Sequence, residues 1–129
     1  NLMIHLLLQL FKNKYMNQYE TVFILNPVLS EAQIEEAVKK YESLLKSQKC
    51  KIVHKEDWGL KKFAFTIQNK NSGFYHLMQF EGVGEIINTL EVEFRRDERV
   101  MRYLTVKLDI HAQAWAEKRR KKNQSKVKT

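Results

Sequence analysis

Tyr19-Glu-Thr-Val-Phe-Ile-Leu25, closed by Asn26-Pro27 and followed by Ser30-Glu-Ala-Gln33-Ile34, sets the architecture of this 129-residue chain. The first seven residues are rich in β-formers, and Asn-Pro cannot continue a ladder, so a strand ends there. Ser30 then offers a helix cap. Gln33 completes a capping box three residues later, and Glu31 sits favourably at the positive end of the helix dipole. Ile34, Ala37, Val38, Tyr41, Leu44 and Leu45 recur as one stripe at helical spacing. The pairs Glu35/Lys39, Glu36/Lys40 and Glu42/Lys46 lie four apart in the favourable order, each adding about 0.3–0.5 kcal/mol.

Outward from this strand and helix, Cys50 to Gln68 reads as a long extended region bent at Trp58-Gly59, since an internal glycine marks a bulge. Asn69-Lys-Asn-Ser-Gly73 reads as a turn and Phe74 to Glu81 as the returning strand, a hairpin. Gly82 and Gly84 break that strand. Val83, Ile86, Ile87, Leu90 and Phe94 form a second helical stripe, and Val100 to Leu108 is the last strand. The order βαββαβ predicts an α+β fold, the ferredoxin-like split β-α-β plan: a four-stranded antiparallel sheet with two helices on one face. The first and third strands are then central.

Side chains alternate across a sheet. If Tyr19, Thr21, Phe23 and Leu25 face the helices with Phe74, His76, Met78 and Phe80, then Val22, Ile24, Tyr75 and Leu77 point away. Neighbouring apolar residues on an open face imply a covering protein partner, the alternative being that the chain's own ends fold over it. RNA stacking on the sheet is disfavoured. Tyr75 is the one outward aromatic on the central strands, and the third strand lacks the Lys/Arg-Gly-aromatic pattern of domains that stack bases there.

Charge is distributed unevenly. The chain carries +8 overall, yet residues 16–109 hold 14 basic and 14 acidic residues. Between 110 and 129 stand Lys118, Arg119, Arg120, Lys121, Lys122, Lys126 and Lys128 against Glu117 alone, with Trp115 among them. Such a block self-repels, stays solvated and is drawn to phosphate arrays, so residues 110–129 read as a basic tail that binds nucleic acid. Inside the domain, Lys61 and Lys62 follow the Trp58-Gly59 bend. Arg95, Arg96, Arg99 and Arg102 bracket the second helix and last strand, where they either complement the helix dipole or contact phosphate.

Composition allows one domain with one core. A single cysteine, Cys50, permits no internal disulfide and points to a reducing cytosolic setting. Leu2 to Phe11 is too short to span a bilayer and lacks a basic leader and cleavage site. Met16 stands directly before the first strand, so residues 1–15 are expected to be an upstream extension. No phosphate loop, dinucleotide fingerprint or nucleophile elbow occurs, and Gly82-Val-Gly84 merely ends a strand. Glu56 and Asp57, adjacent on a strand, point to opposite faces and cannot share a substrate. His76 reads as an interior histidine. No enzyme, cofactor, metal or small-molecule substrate is expected.

Met16-Asn-Gln-Tyr-Glu20, Phe23-Ile-Leu-Asn-Pro27, Glu56-Asp-Trp-Gly59, Leu60 to Ile67, Phe94-Arg-Arg-Asp97, Val100-Met-Arg102 and Val106-Lys107 occur in an order and spacing that resemble the family of the sixth protein of the bacterial small ribosomal subunit. The resemblance covers Met16 to about Asp109. It implies a non-catalytic, cytoplasmic protein that binds small-subunit ribosomal RNA in the central platform region together with the eighteenth protein of that subunit. Lys61, Lys62, Arg95, Arg96, Arg99, Arg102 and the tail cations Lys118, Arg119, Arg120, Lys121 and Lys122 are then candidate RNA contacts. Val22, Ile24, Tyr75 and Leu77 are candidate partner contacts. Two features depart from many relatives: Phe65-Thr66-Ile67 lacks a proline after the aromatic, and the tail is basic where some relatives have an acidic one. A free-standing RNA-binding or regulatory module of the same fold is the competing reading.

Overall fold

The computed structural model describes the backbone of residues 2–127 and the side chains of 2–8, 16–109 and 111–122. Its elements are α1 (Leu2–Tyr15), β1 (Asn17–Leu25), α2 (Glu31–Ser47), β2 (Lys51–Ile67), β3 (Lys70–Gly82), α3 (Glu85–Arg96), β4 (Val100–Leu108) and α4 (Ile110–Val127). The four strands form one antiparallel sheet in the order β2-β3-β1-β4, so β1 and β3 are central, as the βαββαβ order requires.

The α2 cap forms as its sequence dictates. The Gln33 backbone N–H donates to Ser30 Oγ (3.3 Å), and the Ser30 N–H donates to Gln33 Oε1 (2.9 Å), so two otherwise unpaired amides are satisfied. The Glu-to-Lys pairs along α2 give way to longer-range partners. Lys40 reaches Glu93 (3.5 Å) and Asp97 (3.6 Å), and Glu42 accepts from Lys55 on β2 (2.7 Å).

The core lies between the helices and one face of the sheet. Tyr19, Phe23 and Leu25 of β1 and Met78 and Phe80 of β3 pack with Ala37, Tyr41 and Leu45 of α2 and Ile86, Leu90 and Phe94 of α3. Phe23, Tyr41 and Phe94 meet as mutually tilted rings 4.5–5.4 Å apart. Each fully buried aromatic or aliphatic side chain here contributes about 1.5–3 kcal/mol by leaving water.

The β2–β3 turn is tighter than the Asn69–Gly73 loop read from sequence. Gln68 and Asn69 both adopt positive φ (51° and 62°), the pair of left-handed residues that a two-residue type I′ hairpin needs, and β3 begins at Lys70. Gly73 is therefore a strand residue. A Cβ there would strike Ile24 Cγ2 and lie 3.0 Å from Phe63 Cζ and 3.1 Å from the Leu25 carbonyl. At the expected bend, the β2–β3 register shifts between Asp57 and Gly59, with Gly59 at φ +72°.

Residues 110–127 are helical. The Asp109 carboxylate accepts from the Ala112 N–H, the Asp109 carbonyl accepts from the Gln113 N–H, and after Ile110 the helix runs without glycine, proline or a β-branched residue until Val127. The expectation of a wholly solvated tail is corrected: Ala116 is buried, and partly covered Ala112, Gln113, Arg119 and Arg120 share its side of the helix. Lys128 lies outside the described residues, as does the side chain of Lys126.

Candidate nucleic-acid and partner interface

Strand pairing draws the internal cations to one end of the sheet. Leu60, Phe74, Leu25 and Val100 form one row across the four strands. Lys61 and Lys62 follow that row on β2, while Arg95, Arg96 and Arg102 flank it on the β4 side. With three interstrand spacings between the outer strands, the two groups lie about 15 Å apart across the sheet. Lys61, Lys62, Arg95, Arg96 and Arg102 are exposed, and Lys61 also sits 5.8 Å from the centre of the Trp58 ring.

Arg99 behaves differently from its neighbours. Its Nε and Nη2 donate to Asp97 Oδ1 and Oδ2 (3.0 Å each), and its backbone N–H donates to Oδ1 (3.0 Å). The Tyr41 hydroxyl donates to the second oxygen (2.7 Å). Burial opposes ionisation of Asp97, yet hydrogen bonds from Arg99 and Tyr41 outweigh it and hold the carboxyl well below the usual carboxylate range. Burial, then the hydrogen bond to Asp97, pushes the Tyr41 hydroxyl far up. Arg99 thus serves the α3–β4 junction, its guanidinium already occupied by a buried carboxylate. Of the cations expected to contact phosphate at this junction, Arg99 is the one already engaged within the fold.

The outer face of the sheet is not the open apolar surface expected from alternation. Leu77 is 1% exposed and Ile24 8%, while Val22 and Tyr75 are half-buried. At the hairpin end, Phe63 lies against the Gly73 and Ile24 position, and Tyr75 contacts both Phe63 (centroids 6.2 Å) and Trp58 (6.1 Å, nearly parallel). At the other end, Arg119 of α4 donates to Glu20 of β1 (3.0 Å) and lies 3.9 Å from Glu56 of β2, which spans the intervening β3 above Leu77 and Gln79. His54 is 3.4 Å from Glu56, and Gln79 donates to Gln18 (3.2 Å), which donates to Glu81 (3.0 Å). Alternation placed these residues on the correct face but could not show that the chain covers the face itself. Ile24 and Leu77 are therefore withdrawn as partner contacts. Exposed apolar surface continues instead on β4, where Leu104 (65% exposed) pairs with Val22 and Val106 pairs with Glu20.

The tail cations separate in the same way. Arg119 is turned inward, Lys121 lies 3.6 Å from Glu117, and Lys118 and Lys122 are exposed. The row of Glu20 lies five residues from that of Leu25, so Arg119 and the sheet-end cations are about 16 Å apart along β1. They form two basic regions.

Among the described residues no catalytic constellation accompanies them. Glu56 turns to the outer face, whereas Asp57 accepts from the Gly59 N–H (2.8 Å) and lines a cleft of about 530 Å³ between α2 and the β2–β3 strands. His76 also lines it, stacked on Phe23 (5.6 Å). Burial lowers its pKa against the opposing charge of Asp57. Among the described residues no group of three His, Cys, Asp or Glu side chains could hold a metal ion, and no helix is long and apolar enough to cross a membrane.

The model of the family Ribosomal protein S6 matches residues 18–107, all but the end residues of the sheet and both helices packed on it. The chain belongs to the ribosomal protein S6 family. Small ribosomal subunit protein bS6 of Christiangramia forsetii is 66% identical over 112 residues, covering 87% of this chain and all of that protein. Its counterpart in Flavobacterium johnsoniae is 64% identical over 110 residues, 85% of this chain and 97% of its own. Among solved structures, 30S ribosomal protein S6 from Thermotoga maritima superposes with a TM-score of 0.71 at 28% identity, over 84% of this chain and 98% of that one. Membership in the ribosomal protein S6 family makes the chain a non-enzymatic, structural component of the small ribosomal subunit, located with the ribosome in the cytoplasm. The family match ends before α4, so the Arg119 bridge to Glu20 and Glu56 lies outside it. Sequence reading missed that bridge because Arg119 looks like its basic neighbours, and only the helical phase set by Ala112 and Ala116 distinguishes it.

Proposed function

We propose that this protein binds small-subunit ribosomal RNA in the central platform region as a heterodimer with the eighteenth protein of that subunit, and that its role is assembly and architecture. The observation that carries the reading is the collection of Lys61, Lys62, Arg95, Arg96 and Arg102 at one end of the sheet. All five are exposed, and none takes part in an ion pair with another described residue. Phosphate contacts of this kind position a protein on folded RNA. Lys118, Arg120, Lys121 and Lys122 of α4 form a second contact region. For the partner, Val22 and Tyr75 contribute their remaining exposed surface. Leu104 and Val106 extend that surface along β4, so that a co-bound protein adds apolar area and orders the RNA-binding surface.

Measuring RNA affinity with and without the eighteenth protein tests the reading. The chain alone is expected to bind a central-domain RNA fragment weakly and with strong salt dependence, and addition of the partner to tighten binding at least tenfold. Unchanged affinity refutes the cooperative model. A soluble pool that never sediments with small subunits in a sucrose gradient supports the free-standing module instead.

A further inference from the structure

We infer that α4 carries a base-stacking site for single-stranded RNA, centred on Trp115 and braced from beneath by Arg119. The inference rests on the reading of α4 as an RNA contact and specifies what that contact recognises. Trp115 is 64% exposed although it stands one residue from buried Ala116, a costly placement for an indole with no ligand. Its ring is held: the Arg119 guanidinium lies 5.4 Å from the ring centroid and is itself anchored to Glu20 and Glu56 of the sheet. The brace is therefore tied to two strands, and the indole is ordered before any ligand arrives.

Helical spacing completes the site. Trp115, Lys118, Arg119 and Lys122 follow the i, i+3, i+4, i+7 pattern, which aligns them along one side of α4 over about 10 Å. Lys118 and Lys122 are exposed and free to meet phosphates on either side of a stacked base. An exposed aromatic within a run of cations is the arrangement that binds single strands, because every base has a π-face while bases within a duplex are already stacked. A hydrophobic protein segment fits less well, since the surroundings of the indole are cationic. The sheet itself is a poor platform for bases, with Arg119 of α4 reaching Glu20 and Glu56 across its outer face and Tyr75 packed between Phe63 and Trp58.

The test uses the full chain and two labelled probes, an oligouridylate of about ten nucleotides and a duplex RNA of matched charge, titrated at several salt concentrations. Trp115→Ala is expected to weaken oligouridylate binding roughly ten- to hundredfold with an unchanged salt slope, while Trp115→Phe keeps most of the affinity and duplex binding is unaffected. Glu20→Gln/Glu56→Gln, which releases the brace, is expected to give a smaller loss on oligouridylate alone. Equal losses on both probes, or no loss in Trp115→Ala, overturn the stacking site. Loss of affinity for the eighteenth protein with RNA binding intact also overturns it and assigns the indole to a protein partner. Lys118→Gln/Lys122→Gln separates the two levels: if it leaves binding and salt slope unchanged on both probes, α4 is not an RNA contact at all. A preserved thermal midpoint in each variant shows that the fold is intact.

Discussion

Arg99→Ala and Arg95→Ala, two substitutions of the same residue type four positions apart, are expected to fail in opposite ways. Arg99 shares three hydrogen bonds with Asp97, whose side chain is 5% exposed, while its own is 25% exposed. Removing one partner of a buried pair costs about 3–5 kcal/mol. Partial solvation of Arg99, the retained Tyr41 bond and the retained backbone N–H bond from residue 99 bring the expectation down to about 2–3 kcal/mol. With a urea m-value of about 1.5 kcal/mol/M, the unfolding midpoint falls by roughly 1.3–2 M. Because the folded-state pKa of Asp97 is depressed, this stabilisation is present above the unfolded aspartate value near 4 and is lost as pH falls through the folded one. The gap between wild type and Arg99→Ala should therefore begin to narrow below about pH 4 and close only as pH falls through the depressed folded-state value. Arg95 is exposed and in no ion pair with a described residue, so Arg95→Ala should stay within about 0.5 kcal/mol of wild type. It should instead reduce the slope of log affinity against log salt for RNA by about 0.7–0.9. Urea titrations by circular dichroism, paired with RNA titrations, decide the matter. An Arg99→Ala protein with a wild-type midpoint and a flattened salt slope refutes the division made here.

Gly73→Ala places a methyl against Ile24, Phe63 and the Leu25 carbonyl, and should destabilise by about 1–3 kcal/mol, read as a lower thermal midpoint; an unchanged midpoint means that the hairpin does not pack on Ile24 as described. His76 is buried with its folded-state pKa lowered, so the unfolded chain takes up its proton first and stability should decline as pH drops below about 6.5; His76→Leu should flatten that limb in pH-dependent urea titrations. Truncation after Leu108 removes the α4 cations and should lower RNA affinity and flatten its salt slope while leaving incorporation into small subunits intact, as seen by gradient sedimentation. Lost incorporation would make α4 the specific reader.

Local signals accounted for the elements because each carries its own physics: the Ser30/Gln33 box, the Asn26-Pro27 stop, the stripes of α2 and α3 and the β-formers of β4 need only neighbouring residues. Their order then leaves few topologies, and the helix-facing set from Tyr19 to Phe80 follows from alternation. The β2–β3 turn escaped because Gln68 and Asn69 do not announce a positive φ as a glycine would, whereas Gly73 marks a close approach to Ile24 and not a turn. What the tertiary structure alone decided is which like residues remain available for function. Arg95 and Arg99 have the same side chain, as do Arg119 and its neighbour Arg120, but charge available to a ligand depends on what already satisfies it. Asp97 and Tyr41 occupy Arg99, and Glu20 and Glu56 occupy Arg119, through contacts 56 to 99 residues apart or through a local loop conformation that sequence spacing does not encode. The basic composition belongs to the sequence, and its division into structural and functional cations belongs to the fold.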